Sequence, residues 1–363
     1  MKIDSTDFLL TRISHQNAGL MKWLGDLETR WLGERLSALE IREPLFITGL
    51  ARAGTTLLLE TLTKADGVAT HRYKDFPLVM TPYAWNRFTD RFTTARAPVE
   101  RPHKDRIKIT TESPEAFEEP IWQHFFPFVH ADNRVHVIGA DAESPDFEAF
   151  FRANLKKILL LRNGTRYLSK GNYNVTRLEY LARIFPDARF IIPVRHPYTH
   201  VHSLVRQHQL FCDYARQDAR VPEYLRAVGH YEFGPQRVPV TFSLASGERI
   251  GAAWRSGDEY RGYAIQWAQV YGHVDALRRA DGALRERIAV LRYEDLCADP
   301  AGSFHELLRF AHLSSTPAFE DAVRQVRASG HRTADLPEAS RRAVWEETAG
   351  VAAGFGYRES GEA

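Results

Sequence analysis

The sequence predicts a three-layer α/β fold in which helices flank a central parallel sheet. Two patterns carry that expectation. Strand-like runs at 45–48, 166–170, 188–194 and 288–292 alternate with stretches of helical periodicity, and strands alternating with helices build a parallel sheet covered on both faces. The first run also passes through a glycine-punctuated turn into a helix, PLFITGLARAGTTLLL over residues 44–59. That order makes the fold P-loop-type, because free N–H groups at a helix N-terminus attract an anion.

Taken in order, residues 5–40 place Leu9, Ile13, Leu20, Trp23, Leu27 and Trp31 at helical spacing, so one or two helices precede the core. A helix over 55–65 follows the first strand. Residues 77–92 read as helical and aromatic-rich, 94–114 as a charged loop, and 115–126 and 146–161 as helical again. The run 166–170 precedes a helix in NYNVTRLEYLARIF. The buried-type strand 188–194 leads to a helix over 197–208 with proline in its first turn. Scattered Gly and Pro mark 213–257 as an insertion. A long helix, 258–279, reaches the last strand, and two helices close the chain. With no repeat, low-complexity tract or linker, 1–363 reads as a single domain with N-terminal helices (1–42) and one insertion (213–257).

Composition narrows the class. Of 363 residues, 44% are apolar and 26% charged, as in a soluble globular protein. A net charge of +2 offers no basis for a nucleic-acid partner. Two cysteines, Cys212 and Cys297, make neither a disulfide framework nor a metal cluster and suit a reducing compartment. Acidic and polar residues come too early in MKIDSTDFLLTRISHQ for a signal peptide, and no apolar run nears the roughly 18 residues a membrane helix needs. The expectation is a cytoplasmic protein without membrane contact.

Ligands of open α/β sheets sit beyond the carboxyl ends of the strands, and the unusual residues fall there. A nucleoside-triphosphate loop reads G-x-x-x-x-G-K-[ST]. Here Gly49 and Gly54 keep that spacing, Thr55 stands where the lysine belongs, and the cation has moved to Arg52. Arg52, Ala53, Gly54, Thr55 and Thr56 offer a guanidinium, successive N–H groups and two hydroxyls to a dianion. Bending alone explains the glycine but not the arginine or the twin threonines. A second constellation, FIIPVRHPYTHVHSLVRQH, sets Arg195 at a strand end and Ser203 eight residues on, in the next helix. An arginine and a helix-borne hydroxyl can hold a separate phosphate.

On these motifs the chain resembles the sulfotransferases that use 3′-phosphoadenosine 5′-phosphosulfate (PAPS), nearest the bacterial and tyrosylprotein branch. ARAGTT resembles the family's 5′-phosphosulfate loop, and Arg195 to Ser203 resembles its 3′-phosphate motif. LRYEDLCADP, residues 291–300, resembles a further segment whose tyrosine, here Tyr293, contacts the nucleotide. Ala53 departs from the family's serine, and the cytosolic branch's C-terminal Arg-Lys-Gly segment is absent. The resemblance implies PAPS as co-substrate, no metal, and a small-molecule or peptide acceptor, with Arg52 stabilising the departing phosphate. Lys170, in LSKGNYN, resembles a lysine near the sulfate, or is a solvated loop lysine.

A hydroxyl acceptor loses a proton as it attacks, so a base is expected within reach. Asp75, in HRYKDFP, ranks first; it lies close to where the tyrosylprotein branch has a glutamate, about two residues late. His103, in ERPHKD, ranks second through a loose similarity to the cytosolic branch's histidine. His71 shares the Asp75 segment, and Glu118 and Glu119 read as helix-face carboxylates. Aromatics at 76–88 and 122–128 pack the core or line an acceptor pocket. Two other readings compete: an atypical P-loop kinase, which leaves Arg195 and Ser203 without a role, and a catalytically silent nucleotide-binding protein.

Overall fold

The structure is a computed structural model that describes residues 1, 3–91, 98–104, 108–115, 117–280, 282–326 and 336–359. Its strands are β1 Leu45–Ile47, β2 Val68–Ala69, β3 Val99–Glu100, β4 Lys108–Ile109, β5 Arg166–Lys170, β6 Arg189–Val194 and β7 Ile288–Arg292. Five form the central sheet in the order β2-β5-β1-β6-β7, and every pairing is parallel. β3 and β4 make a separate antiparallel pair.

Side-chain alternation explains the three layers. Phe46 of β1 and Phe190 and Ile192 of β6 point into the larger core. Leu45, Ile47 and Ile191, one residue out of phase, point into the opposite core with Leu58, Leu62 and Phe304. Successive residues of a strand face opposite sides, so both faces of this sheet must be apolar and covered. Full burial of each such side chain stabilises the fold by about 1.5–3 kcal/mol.

The parallel sheet and its four long-predicted strands match the sequence reading. β2 escaped it, being two residues long. The helix expected over 77–92 spans Pro82–Thr89, since proline favours the first helical turn and disfavours helix just before it. The helix expected to stop at 208 runs Pro197–Gln217, because buried Phe211 and Tyr214 continue its apolar stripe. Within 213–257 lie two further helices, Val221–Ala227 and Leu244–Arg255, and Leu225 and Phe233 join the larger core. Beyond β7 there are four helices among the described residues rather than two, from Tyr293–Ala298 to Glu338–Gly354. No helix among the described residues is long and apolar enough to cross a membrane.

Candidate active site

The carboxyl edge of the sheet gathers the loop after β1, the ends of β5 and β6, and the start of the helix after β7. The Thr48 hydroxyl donates to the Gly171 carbonyl at 2.7 Å, tying the root of the loop to the end of β5. Gly49 and Gly54 adopt left-handed backbone at φ +127 and +107. At Gly54 an added Cβ would stand 2.8 Å from the Tyr293 ring, so space as well as backbone requires glycine. Gly54 caps the helix Thr55–Leu62 and brings no side chain of its own to the amides of the first turn. Amide N–H groups there have no intrahelical partner and suit an anion. His200 steadies the loop from behind: its Nε2–H donates to the Ala51 carbonyl at 2.9 Å. Burial lowers the His200 pKa to about 3, so the ring is neutral.

Arg195 leaves β6 with Nε donating to Thr199 Oγ1 at 3.0 Å and Nη1 3.5 Å from the Arg52 carbonyl. Its guanidinium lies over the Tyr293 ring, 4.8 Å from the centroid. Behind it, Trp267 Nε1 donates to the Arg195 carbonyl at 3.3 Å, and Glu294 accepts from the His196 backbone N–H at 2.9 Å. Ser203 projects from the following helix toward the loop, where Arg52 Nε donates to its Oγ at 3.2 Å. The loop after β1, Arg195, Ser203 and Tyr293 therefore meet in space.

A cavity of about 220 Å³ opens beside the loop. Arg52, Thr55, Thr56, Arg101, His103 and Lys170 line it, with Tyr73, Phe76, Phe117, Phe211 and Tyr224 supplying apolar walls. Lys170 Nζ lies 3.1 Å from Glu115 Oε1, and Tyr73 Oη donates to Glu115 Oε2 at 2.7 Å. Lys170 is thus a held cavity cation rather than a solvated one. Arg101 was not singled out in the sequence. It is buried, 3.8 Å from Glu115, and its Nη1 donates to Thr56 Oγ1 at 3.2 Å. Only the charged character of its segment could have hinted at it.

Of the candidate bases, His103 reaches the cavity. Its ring packs against Phe211 and His230, and Nδ1 has no hydrogen-bond partner among the described residues. Burial pushes its pKa well down, and Arg101, His230, Arg52 and Lys170 push it further. Asp75 does not line the cavity. It is wholly buried and accepts from the Arg72 backbone N–H (2.9 Å), Asn86 Nδ2 (2.9 Å) and the Arg162 guanidinium, with His71 Nδ1 at 3.2 Å. Burial alone would raise its pKa, but His71 and Arg162 bring it to about 2. Both its oxygens are committed to structure. Glu119 lines the cavity yet is paired with Arg177 at 2.6 Å and His130 at 2.6 Å. Glu118 accepts from the Tyr167 hydroxyl, and burial raises its pKa. Among the aromatics, Phe76 lines the cavity, Trp122 and Phe126 belong to the core, and Phe88 and Phe128 are exposed.

A parallel sheet with a glycine-capped helix N-terminus at its carboxyl edge, beside the Arg52 and Arg195 guanidinium groups, places the chain among P-loop-like α/β proteins. A family profile described as "Sulfotransferase family" matches residues 44–232, which include the loop, Lys170, Arg195 and Ser203. The chain belongs to the sulfotransferase family. Among solved structures it is similar to sulfotransferase STF9 from Mycobacterium avium, with 17% identity, a TM-score of 0.52, and coverage of 92% of this chain and 83% of that one. Sulfotransferase STF1 from Mycobacterium tuberculosis H37Rv is also similar, at 16% identity, a TM-score of 0.47 and coverage of 89% and 83%. No curated protein matches the sequence.

Proposed function

We propose that this protein transfers the sulfuryl group of PAPS to a hydroxyl or amine of a small-molecule or peptide acceptor, by in-line displacement without a metal. The observation that carries the reading is the 3.2 Å contact between Arg52 and Ser203. It brings the loop proposed to cradle the 5′-phosphosulfate against the helix residue proposed to hold the 3′ phosphate. The helix-terminal amides, Thr55 and Thr56 suit the 5′ group; Arg195 and Ser203 suit the 3′ phosphate; Tyr293 lies between them.

The acceptor oxygen attacks sulfur from the cavity while the bond from sulfur to the bridging oxygen breaks, and the bisphosphate leaves with the electron pair. Charge grows on the bridging oxygen, where Arg52 and the loop amides oppose it, and on the equatorial oxygens, where Lys170 and Arg101 can do so. His103, whose ring lines the cavity, takes the acceptor proton. Its neutral state fits a base, and a polyanionic donor screens Arg52, Arg101 and Lys170, restoring basicity when it is needed. Cys212 and Cys297 are not joined in a disulfide, which suits a cytoplasmic setting.

Calorimetry with adenosine 3′,5′-bisphosphate tests the donor assignment. Binding in EDTA supports it, and binding of magnesium–ATP alone would overturn it. Transfer of labelled sulfate from PAPS to a panel of phenols, alcohols and amines tests the reaction.

A further inference from the structure

The helix Ala18–Ser37 carries apolar side chains on two faces, and the chain covers only one. On the inner face Gly25, Glu28, Leu32 and Leu36 are buried. Gly25 is packed so closely that an added Cβ would stand 2.7 Å from the Phe150 ring. Lys157 Nζ holds the same face, donating to the Gly25 carbonyl at 2.7 Å and pairing with Glu28 at 3.1 Å. On the outer face Leu20, Trp23, Leu27 and Trp31 are exposed, Trp23 by 52% and Trp31 by 63%. Spacings of three and four residues set them in one line along the helix. Leu9 and Ile13 on the preceding helix, Ser5–Gln16, are exposed as well. A contiguous line of exposed large apolar side chains, flanked here by charged Lys22, Asp26 and Arg30, marks an interaction surface.

We propose that this outer face is the interface of a two-fold homodimer. Its pattern is self-complementary. Trp23 and Trp31 lie four residues to either side of Leu27, so a two-fold axis at Leu27 packs two such helices antiparallel with their tryptophans interleaved. The area fits too. The six side chains expose roughly 600 Å², most of the approximately 800 Å² per partner that a stable interface buries. Charge selects a protein over a lipid surface: residues 1–42 carry six Lys/Arg and six Asp/Glu, without the cationic surplus of a membrane-surface helix. Ser5–Gln16 packs on Val221–Ala227, which lends Tyr224 and Leu225 to the cavity wall. The dimer contact is one helix away from the acceptor site.

Sedimentation equilibrium on the full chain between about 1 and 100 μM tests the proposal, since specific interfaces of this size hold in that range. The expected mass is twice the chain's 41.5 kDa. The paired substitution Leu27→Glu and Trp31→Glu is expected to give a folded monomer with an unchanged circular dichroism spectrum and a melting temperature that no longer depends on protein concentration. A wild-type monomer throughout the range, or a dimer that survives both substitutions, overturns the interface. Should the double variant misfold, Leu27→Cys decides instead: a symmetric contact at Leu27 cross-links under mild oxidation, and Glu306→Cys, an exposed control, does not. Absence of the Leu27→Cys cross-link, or co-sedimentation of a monomer with phosphatidylcholine vesicles, overturns the proposal.

Discussion

Arg52 and Ser203 are 151 residues apart in the chain, and the Arg52 guanidinium donates to the Ser203 hydroxyl across 3.2 Å. This contact joins the loop after β1 to the helix after β6, the two parts of the proposed nucleotide site. Arg52 has a left-handed backbone at φ +73, so the loop itself turns the side chain toward the helix of Ser203.

The two partners separate in a kinetic test. Arg52→Ala is expected to lower kcat for sulfate transfer by 10²-fold or more, on the order of a lost charge-stabilising donor. Ser203→Ala is expected to weaken adenosine 3′,5′-bisphosphate about tenfold, the worth of one hydrogen bond to a charged group. Unchanged affinity in Ser203→Ala would remove the 3′-phosphate role.

Gly54→Ala is expected to abolish bisphosphate binding. The new Cβ meets the Tyr293 ring at 2.8 Å in a backbone of φ +107. Adding Tyr293→Ala relieves the collision but not the backbone strain, which costs about 1 kcal/mol or more. Calorimetry should therefore find the double variant weaker than wild type; full recovery would mean that space alone matters there.

The base assignment has a pH signature. The His103 pKa lies well below its ordinary 6.5, so the ring is already deprotonated at neutral pH. The acid limb of kcat/KM should fall below pH 6.5, and the limb of kcat should sit higher, because bound donor offsets the neighbouring cations. His103→Asn should lose about 10²-fold or more in kcat and leave bisphosphate binding intact. Retained activity in that variant returns the role to another group.

Asp75→Asn distinguishes scaffold from catalyst. Breaking its buried pairing with Arg162 and His71 should cost about 3–5 kcal/mol in urea denaturation. Turnover at a temperature where the variant stays folded should remain within a few-fold of wild type. A hundredfold loss of kcat with normal stability would make Asp75 catalytic after all.

Stability should also fall with acid through His200. Its folded pKa, about 3, lies below the ordinary 6.5, so between those values the unfolded chain binds the proton and the folded chain does not. The contribution is complete above pH 6.5 and is lost as pH falls, at about 1.4 kcal/mol per unit. His200→Gln keeps a donor for the Ala51 carbonyl without titrating. Its stability deficit should shrink by about 2 kcal/mol from pH 7 to pH 5, and a constant deficit counts against the linkage.

Local pattern by itself determined the layered α/β architecture and the parallel strands, and it singled out the glycine loop, Arg195 and Ser203 that tertiary structure brings to one edge of the sheet. Those signals are short-range: strand alternation, glycine spacing and an eight-residue interval each lie within about twenty residues of chain. Tertiary structure alone decided which candidates face the cavity. Asp75, near the expected position in sequence, turned inward to Arg162 and Asn86, whereas His103 and Arg101 were carried into the cavity from a segment of plain charged composition. Helix ends moved for the same reason: contacts such as Phe211 and Tyr214 against the core extend a helix beyond what spacing suggests. A side chain's direction depends on partners distant in sequence, and periodicity within one element carries no record of them.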